Sequence, residues 1–201
     1  MTEDDARSWI ATRFGEAKTA CVAAFLDMVR IENGEQNLIA PSTVESIWVR
    51  HALDSAQLID MAGKDDGRWL DIGTGGGFPG IVVAILFDGM VTMVEPRKRR
   101  VAFLQDCIAR LDLARAQVMP AKVEQFEGQF DIISARAVAS VEKLLQAAAR
   151  CATARTCWVL PRGRIEPEQL ESLRRNRQWM FHVKQSLTDA GSSILVGEPK
   201  S

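Results

Sequence analysis

The sequence has few of the residues that build metal sites or disulfide frameworks. Its 201 residues include only two histidines and four cysteines, Cys21, Cys107, Cys151 and Cys157, which form no C-x-x-C pair. This spacing excludes the common zinc patterns and is typical of reduced, packed thiols. We therefore predict no metal site.

The sequence also lacks a long hydrophobic run. Its longest stretch without a charged residue, 72–87, contains five glycines and is shorter than the ~18 continuous apolar residues of a membrane-spanning helix. The start, MTEDDARSW, is acidic, whereas a signal peptide begins with basic and then apolar residues. We therefore expect a cytoplasmic protein that does not associate with a membrane.

Neither sign of charge dominates the chain. It carries 25 Lys and Arg against 26 Asp and Glu, a net charge of −1, so it can bind nucleic acid only through a local basic face. With 47% apolar and 25% charged residues, the composition is typical of one globular domain.

The first part of the chain has helical patterns only. Apolar residues at helical spacing predict one long amphipathic helix from about Asp4 to Ile31. A second helix is predicted to start at Ser42, where STVE has the S-x-x-E form of a capping box. We therefore predict a helical N-terminal extension over residues 1–62.

From residue 63 to 201, short apolar runs alternate with helical patterns. This alternation predicts an α/β fold with a doubly wound parallel sheet. The last two predicted strands are joined only by TDAGS, which predicts an antiparallel hairpin at the sheet edge. The predicted strands are RWLDIG, VTMVE, AQVM, FDIISA, CWVLP, WMFHVKQSL and SSILVGE. We expect this core and the extension to form effectively one compact domain.

The stretch DIGTGGGFPG follows the first predicted strand, where open α/β sheets bind their ligands. Gly75, Gly77 and Gly80 match the dinucleotide fingerprint G-x-G-x-x-G. Asp71 followed by glycines at alternate positions (Gly73, Gly75 and Gly77) is similar to the first motif of class I S-adenosylmethionine-dependent methyltransferases. In that pattern we predict that Asp71 holds the cofactor's ammonium group, directly or through water.

Glu95 is a second acidic residue at the end of a strand. It ends the next apolar run, 22 positions after Gly73, where a carboxylate can accept hydrogen bonds from both ribose hydroxyls. S-adenosylmethionine and nicotinamide cofactors share this ribose, so Glu95 does not discriminate between them. The short chain leaves no room for a dehydrogenase's second domain, which favours a methyltransferase, with an NAD(P)-dependent oxidoreductase as the alternative.

Three motifs together closely resemble the RsmG (GidB) family of methyltransferases. They are DIGTGGGFPGI, the upstream NLIA…VRHALDS, and SARAVAS after the fourth strand, and the similarity runs from about Asn37 to Leu160. The resemblance implies a Rossmann-like class I methyltransferase fold and S-adenosylmethionine as cofactor. It also implies methylation of guanine N7 in 16S ribosomal RNA, as naked RNA or in the small ribosomal subunit. We expect the enzyme to be a monomer.

The resemblance also implies which residues form the cofactor site. They are Gly73 and Phe78 in the loop, Val123 and Glu124 after the third strand, and Arg136 after the fourth. We expect Glu124 or a nearby backbone amide to meet the adenine edge and Phe78 to cover an apolar cofactor surface. The chain departs from the family at Pro96, where serine is more frequent, and in its tail GEPKS, which follows the usual basic ending only loosely.

Guanine N7 has a lone pair and no proton, so its methylation requires alignment and charge management more than a base. We therefore assign no catalytic residue. The chain has neither the N/D-P-P-Y motif of adenine amino methylation nor the Pro-Cys partner of cytosine C5 enzymes, and we predict that Cys157 is a core residue. The missing base leaves a second alternative, a non-catalytic RNA module that binds S-adenosylmethionine.

Several charged residues are candidates for substrate binding. Arg136 can bind the cofactor, guanine O6 or a phosphate. His51 and Asp54, spaced i, i+3, either form a buried hydrogen-bonded pair that docks the extension or line the substrate entrance. Arg162 and Arg164 are candidates for RNA contacts, together with the basic runs RKRR at 97–100 and RRNR at 174–177.

Overall fold

The fold is described from a computed structural model that covers residues 1–136 and 139–200. Ala137 and Val138 of the SARAVAS segment, and Ser201 of the tail, lie outside the described residues. The helical elements before the sheet are α1 (Glu3–Phe14), α2 (Glu16–Gln36), a 3₁₀ turn (Pro41–Thr43), a π-helix (Trp48–Leu53) and α3 (Asp54–Ala62). The remaining elements are β1 (Arg68–Ile72), α4 (Gly80–Leu86), β2 (Met90–Val94), α5 (Lys98–Arg110), β3 (Ala116–Met119), a 3₁₀ turn (Val123–Gln125), β4 (Phe130–Ala135), α6 (Val141–Ala147), β5 (Ala152–Arg162), α7 (Pro167–Arg174), β6 (Trp179–Gln185) and β7 (Ser193–Pro199).

The seven strands form one sheet in the order β3-β2-β1-β4-β5-β7-β6. Strands β1 to β5 pair in parallel, and β7 lies antiparallel between β5 and β6. The predicted α/β class and the antiparallel edge hairpin are therefore confirmed. The strand order reverses beside β1, which has β2 on one side and β4 on the other. In open α/β sheets this reversal opens the ligand crevice at the carboxyl ends of the strands.

The prediction of one long N-terminal helix is wrong, because the chain turns at Gly15. This glycine has φ of 90° and lies between α1 and α2. Glycine adopts such a conformation without the steric penalty of a side chain. The turn lets α1 pack against α2 and the π-helix, so the two helical patterns belong to separate elements.

The predicted capping box at Ser42 is also wrong. The segment from Pro41 opens with a 3₁₀ turn and continues as the π-helix and α3. The backbone N–H groups of Trp48 and Val49, at the start of the π-helix, donate to the Glu3 carboxylate, both at 2.9 Å. A carboxylate from α1 therefore caps this helix, and local sequence spacing contains no sign of such a distant partner.

The N-terminal helices and the sheet share one hydrophobic core. Phe25 of α2, Leu58 of α3 and Trp69 of β1 are fully buried in the same cluster, which covers one face of the sheet. All four cysteines are free, and Cys157 is buried on β5 as predicted. No helix within the described part of the chain has the length and apolar content needed to cross a bilayer.

Candidate functional site

The sheet brings most of the predicted site residues to one edge. Gly73, Glu95, Val123 and Arg136 follow β1, β2, β3 and β4, and Arg162 is the last residue of β5. Parallel register aligns these strand ends: the Gly73 N–H donates to Val94 O at 2.8 Å, and the Glu95 N–H donates to Met119 O at 3.1 Å. The carboxyl edge of the sheet is therefore the candidate site.

Asp71 is fully buried at the end of β1. Its carboxylate accepts hydrogen bonds from Thr74 Oγ1 at 2.7 Å, the Gly80 N–H at 3.1 Å and Ser134 Oγ at 2.7 Å. Burial raises the pKa of Asp71 to about 6, although these hydrogen bonds and Arg136 favour its ionised form. Asp71 therefore holds the glycine loop in shape, while its predicted contact with an ammonium group stays a prediction.

The glycine loop faces in two directions. Gly75, with φ of 61°, is partly exposed beside Glu95, to which its N–H donates at 2.9 Å. Gly77 is buried at φ of 96°, and a Cβ there would lie 2.5 Å from the Phe25 ring of α2. The loop thus exposes backbone at Gly73 and Gly75, whereas Gly77 allows close packing on the N-terminal helices.

Glu95 has a nearly inaccessible side chain that is 1% exposed. Burial alone raises its pKa, but hydrogen bonds from Arg97 and from the Gly75 N–H outweigh that effect and hold the pKa below its ordinary value. Glu95 is therefore an ionised acceptor beside the exposed part of the loop.

Val123 is buried at the start of its 3₁₀ turn and Glu124 is exposed, so the Glu124 side chain is accessible.

A cavity of about 500 Å³ opens between the N-terminal helices, the ends of β4 and β5, and the loop between β6 and β7. Most of the side chains that line it can donate or accept hydrogen bonds, and several are cationic. Those residues are Thr43, Arg50, His51, Asp54, Arg136, Arg162, Ser186, Thr188, Ser192 and Ser193. The structure therefore gathers the predicted residues His51, Asp54, Arg136 and Arg162 around one space.

Arg136 is the centre of a network in this cavity. Its guanidinium lies 3.1 Å from His51 Nδ1, 3.6 Å from Asp54 Oδ2 and 3.4 Å from Arg50 O. The same group lies 5.5 Å from the centre of the Phe78 ring, within the range of a cation–π contact. Phe78 is buried, so its ring is a packed surface against which the Arg136 guanidinium lies.

His51 is neutral in this network. Burial and the nearby Arg136 and Arg50 lower its pKa to about 3. Its Nδ1 can then accept from Arg136, while Nε2 donates to Thr43 Oγ1 at 2.8 Å. No direct hydrogen bond joins His51 and Asp54 in the described structure. Both side chains instead contact Arg136, which follows β4, and both line the cavity. These contacts with Arg136 also join the N-terminal helices to the sheet.

Sequence reasoning predicted the hairpin of β6 and β7 but missed that its loop contacts the N-terminal helices and lines the cavity. The buried Gln57 amide donates to Ser186 Oγ at 3.2 Å and accepts from the Leu187 N–H at 2.9 Å. Thr188 Oγ1 donates to Asp54 Oδ1 at 2.9 Å. These partners lie about 130 residues apart in the chain, so no local pattern contained a signal for them.

The two predicted RNA-binding arginines lie in different surroundings. Arg162 lines the cavity, and its buried Nη2 has no hydrogen-bond partner among residues 1–136 and 139–200. Burial lowers the pKa of Arg162, and the nearby Glu142 opposes that effect. Arg164 is 86% exposed and lines a smaller neighbouring cavity of about 280 Å³. Arg162 is therefore the arginine of this pair that reaches the main cavity.

The basic run at 97–100 makes intramolecular contacts. Arg100 donates to Gln36 O at 2.9 Å and Asn37 O at 2.8 Å, and Arg99 donates to Glu35 O at 3.3 Å. These carbonyls end α2, where backbone acceptors lack helical partners. Arg99 and Arg100 therefore cap a helix. Across the described residues, no three His, Cys, Asp or Glu side chains are placed to share a metal ion.

The chain matches one protein family model and several known sequences over most of its length. The family model described as rRNA small subunit methyltransferase G matches residues 18–193. A protein of Erythrobacter litoralis named ribosomal RNA small subunit methyltransferase G is 41% identical over 202 residues, covering 100% of this chain and 98% of that protein. A protein of the same name from Sphingopyxis alaskensis is 43% identical, covering 97% and 85% of the two chains.

Solved structures share the fold at low sequence identity. A ribosomal protein L11 methylase from Lactobacillus delbrueckii superposes with a TM-score of 0.63 at 14% identity, covering 76% of this chain and 79% of that one. A methyltransferase from Geobacter sulfurreducens superposes with a TM-score of 0.62 at 15% identity, covering 90% of each. These likenesses identify the sheet and its helices as a methyltransferase fold.

Proposed function

The chain belongs to the rRNA small subunit methyltransferase G family and is an S-adenosylmethionine-dependent methyltransferase of ribosomal RNA, and from this we propose the roles of its residues. Its target is N7 of a guanine in 16S ribosomal RNA, the atom that the resemblance implied. The observation that supports a base-sized substrate is the cavity of about 500 Å³ at the carboxyl edge of the sheet, which offers both apolar surface and hydrogen-bonding side chains. The nicotinamide alternative that the glycine spacing left open is not favoured by any of these comparisons.

The residues beside Gly75 fit the cofactor. When bound, S-adenosylmethionine supplies the methyl group as a substituent of a cationic sulfur. Glu95 is ionised and buried beside exposed loop backbone, so it can accept hydrogen bonds from ribose hydroxyls. We assign Gly73, Gly75 and Glu95 to this side, with Val123 and Glu124 at the adenine edge. Asp71 and Gly77 contribute to the cofactor site indirectly, because they hold the glycine loop in shape.

The cavity residues fit the guanine. Guanine presents O6 and N7 as acceptors in its major-groove edge, and N7 must stay free for methylation. Arg136 or Arg162 can donate to O6 or to a phosphate. Arg136 is fixed by His51, Asp54 and Phe78, so its orientation is set before the RNA arrives.

The chain needs no base for this reaction, because N7 carries a lone pair and no proton. His51 is unsuited to that task, since its low pKa keeps it neutral and both ring nitrogens have partners. A neutral His51 is favourable for the reaction, because guanine gains a positive charge on methylation and a charged imidazole would repel it. Alignment and electrostatics are therefore the contributions that we assign to the protein.

The reaction is tested with 16S ribosomal RNA and small subunits from cells that lack this protein. Each is incubated with the enzyme and labelled S-adenosylmethionine, then treated with borohydride and aniline, which cleave RNA at 7-methylguanosine. We expect label in the RNA and cleavage at one guanine only after enzyme treatment. Label without cleavage would contradict N7 as the target, and no label in either substrate would support the non-catalytic RNA module.

Three broader assignments complete the proposal. Residues 1–62 act as an extension built into the same compact unit as the 63–201 core, which is supported by their shared hydrophobic cluster. The enzyme acts as a monomer. It works in the cytoplasm, where a bacterial type of ribosomal RNA substrate would be found.

A further inference from the structure

Glu95 is saturated with hydrogen-bond donors that the chain itself provides. Its Oε1 accepts from the Arg97 N–H at 3.0 Å and Arg97 Nε at 2.9 Å, and its Oε2 accepts from the Gly75 N–H at 2.9 Å and Arg97 Nη2 at 3.3 Å. An ionised carboxylate has about four acceptor positions. All of them are therefore in use.

The four donors differ in how readily they can leave. Two are backbone N–H groups, fixed by the end of β2 and by the glycine loop. The other two belong to the Arg97 guanidinium, on a long side chain that is 63% exposed. This guanidinium also lies close to the loop, because a Cβ on Gly75 would come within 3.7 Å of Arg97 Nη2. Arg97 is thus the partner that a ligand can displace.

We infer that Arg97 occupies the ribose position on Glu95 in the free enzyme and that binding of S-adenosylmethionine displaces it. This inference rests on the proposed role of Glu95. The guanidinium donates two hydrogen bonds to the carboxylate, as a ribose donates two from its hydroxyls. Arg97 therefore keeps Glu95 ionised and correctly oriented before binding, and competes with the cofactor during binding.

The competition is modest in size. An exposed ion pair contributes about 0.2 to 1 kcal/mol, which corresponds to about a 1.4-fold to fivefold change in a dissociation constant. Removing the guanidinium should therefore tighten cofactor binding by up to about fivefold. If Arg97 instead contacted the bound cofactor, its removal would weaken binding.

The test measures binding of S-adenosylmethionine and S-adenosylhomocysteine by calorimetry, to the wild type and to Arg97→Ala. The matched control is Arg110→Ala, at the other end of α5, where Arg110 is also 63% exposed and pairs with Asp106 at 3.5 Å. We expect tighter binding, by up to about fivefold, for Arg97→Ala and unchanged binding for Arg110→Ala. Circular dichroism would verify that both variants are folded.

A second readout follows Arg97 directly. The Nε–H signal of Arg97, assigned by its loss in the variant, should shift towards that of a solvated arginine when S-adenosylhomocysteine is added. Unchanged or weaker binding in Arg97→Ala, or an unmoved signal, would overturn the inference. A wild type that binds neither ligand would instead contradict the proposed function.

Discussion

At the scale of single residues, the site depends on the protonation state of buried groups. His51 can accept a hydrogen bond from Arg136 only while its imidazole is neutral. Asp71 is also buried, and its pKa is raised to about 6. The two groups shift in opposite directions from their ordinary values, so they affect stability in opposite directions as pH falls.

The pKa of His51 in the folded and unfolded protein determines how its contribution to stability changes with pH. The ordinary pKa of a histidine is 6.5, whereas that of His51 in the folded protein is about 3, so the stability that His51 contributes is fully present above pH 6.5. That contribution is lost as pH falls towards 3, because the unfolded chain binds the proton more readily. For Asp71 the folded protein binds the proton more readily, so acid favours folding between about pH 6 and 4.

We therefore predict a pH-dependent difference between the wild type and His51→Gln. The wild type should be more stable at pH 7, and the difference should shrink by about 1.4 kcal/mol per pH unit between pH 6 and 4. Asp71 is present in both proteins, so its contribution cancels in this difference. Urea unfolding at several pH values measures it.

The control for this prediction is His182→Gln on the exposed edge strand β6. It removes the other histidine of the chain and leaves the cavity residues unchanged. A difference for His51→Gln that stayed constant between pH 6 and 4 would show that His51 takes up its proton in the folded protein.

At the scale of elements, the π-helix places the site residues of the N-terminal layer. Arg50 and His51 lie within it, and Asp54 begins α3 directly after it. π-helical turns are rare and occur frequently at functional sites. The helix begins against α1, where Glu3 accepts hydrogen bonds from Trp48 and Val49. The position of the cavity wall therefore depends on one carboxylate far away in the sequence.

We predict that Glu3→Ala lowers the free energy of unfolding by about 1 to 3 kcal/mol, because it leaves two partly buried N–H groups without an acceptor. The matched control is Asp4→Ala, which removes an exposed carboxylate from the same first turn of α1. It should change stability by no more than about 0.5 kcal/mol. Equal losses in the two variants, measured by urea unfolding, would argue against the capping role.

At the scale of the whole molecule, the N-terminal helices and the glycine loop are packed together. Phe25 of α2 lies against Gly77 and, with a ring-centre distance of 5.1 Å, against Phe78. Phe78 in turn supports Arg136. The extension therefore forms part of the wall of the site. A change in the loop should alter the packing of both the N-terminal helices and the sheet.

We predict that Gly77→Ala destabilises the protein by about 2 to 3 kcal/mol and weakens S-adenosylhomocysteine binding. Its new Cβ would lie 2.5 Å from Phe25 at a φ of 96°, and overpacking alone costs about 1 to 3 kcal/mol. Adding Phe25→Leu should restore part of the loss, which thermal unfolding and calorimetry would measure.

The comparison for Gly77 is Gly34→Ala in α2, where a Cβ meets no atom within 4 Å. Alanine is the better helix former, so this variant should be more stable by about 0.5 to 1 kcal/mol. A Gly77→Ala protein as stable as the wild type would show that the loop can move away from α2.

The sequence by itself determined the type of most elements and the chemistry at the strand ends. Apolar runs at AQVM and FDIISA coincide with β3 and β4, and parallel strands necessarily carry the residues that follow them to one edge. That is why Glu95 and Arg136 were predictable at this edge, whereas Val123 was implied only by the resemblance to the family. The family motifs also supplied the substrate and the choice of cofactor.

Only the tertiary structure decided which atoms these residues contact. Three of these contacts depend on the path of the whole chain or on a side-chain conformation. They are the hydrogen bonds of Glu3 with the π-helix, of Arg97 with Glu95, and of Gln57 with the β6–β7 loop. Hydrogen bonds form between whichever groups packing brings within about 3 Å. Sequence spacing does not contain that information when the partners are dozens of residues apart, and for Arg97 and Glu95, two positions apart, it does not fix the side-chain conformation.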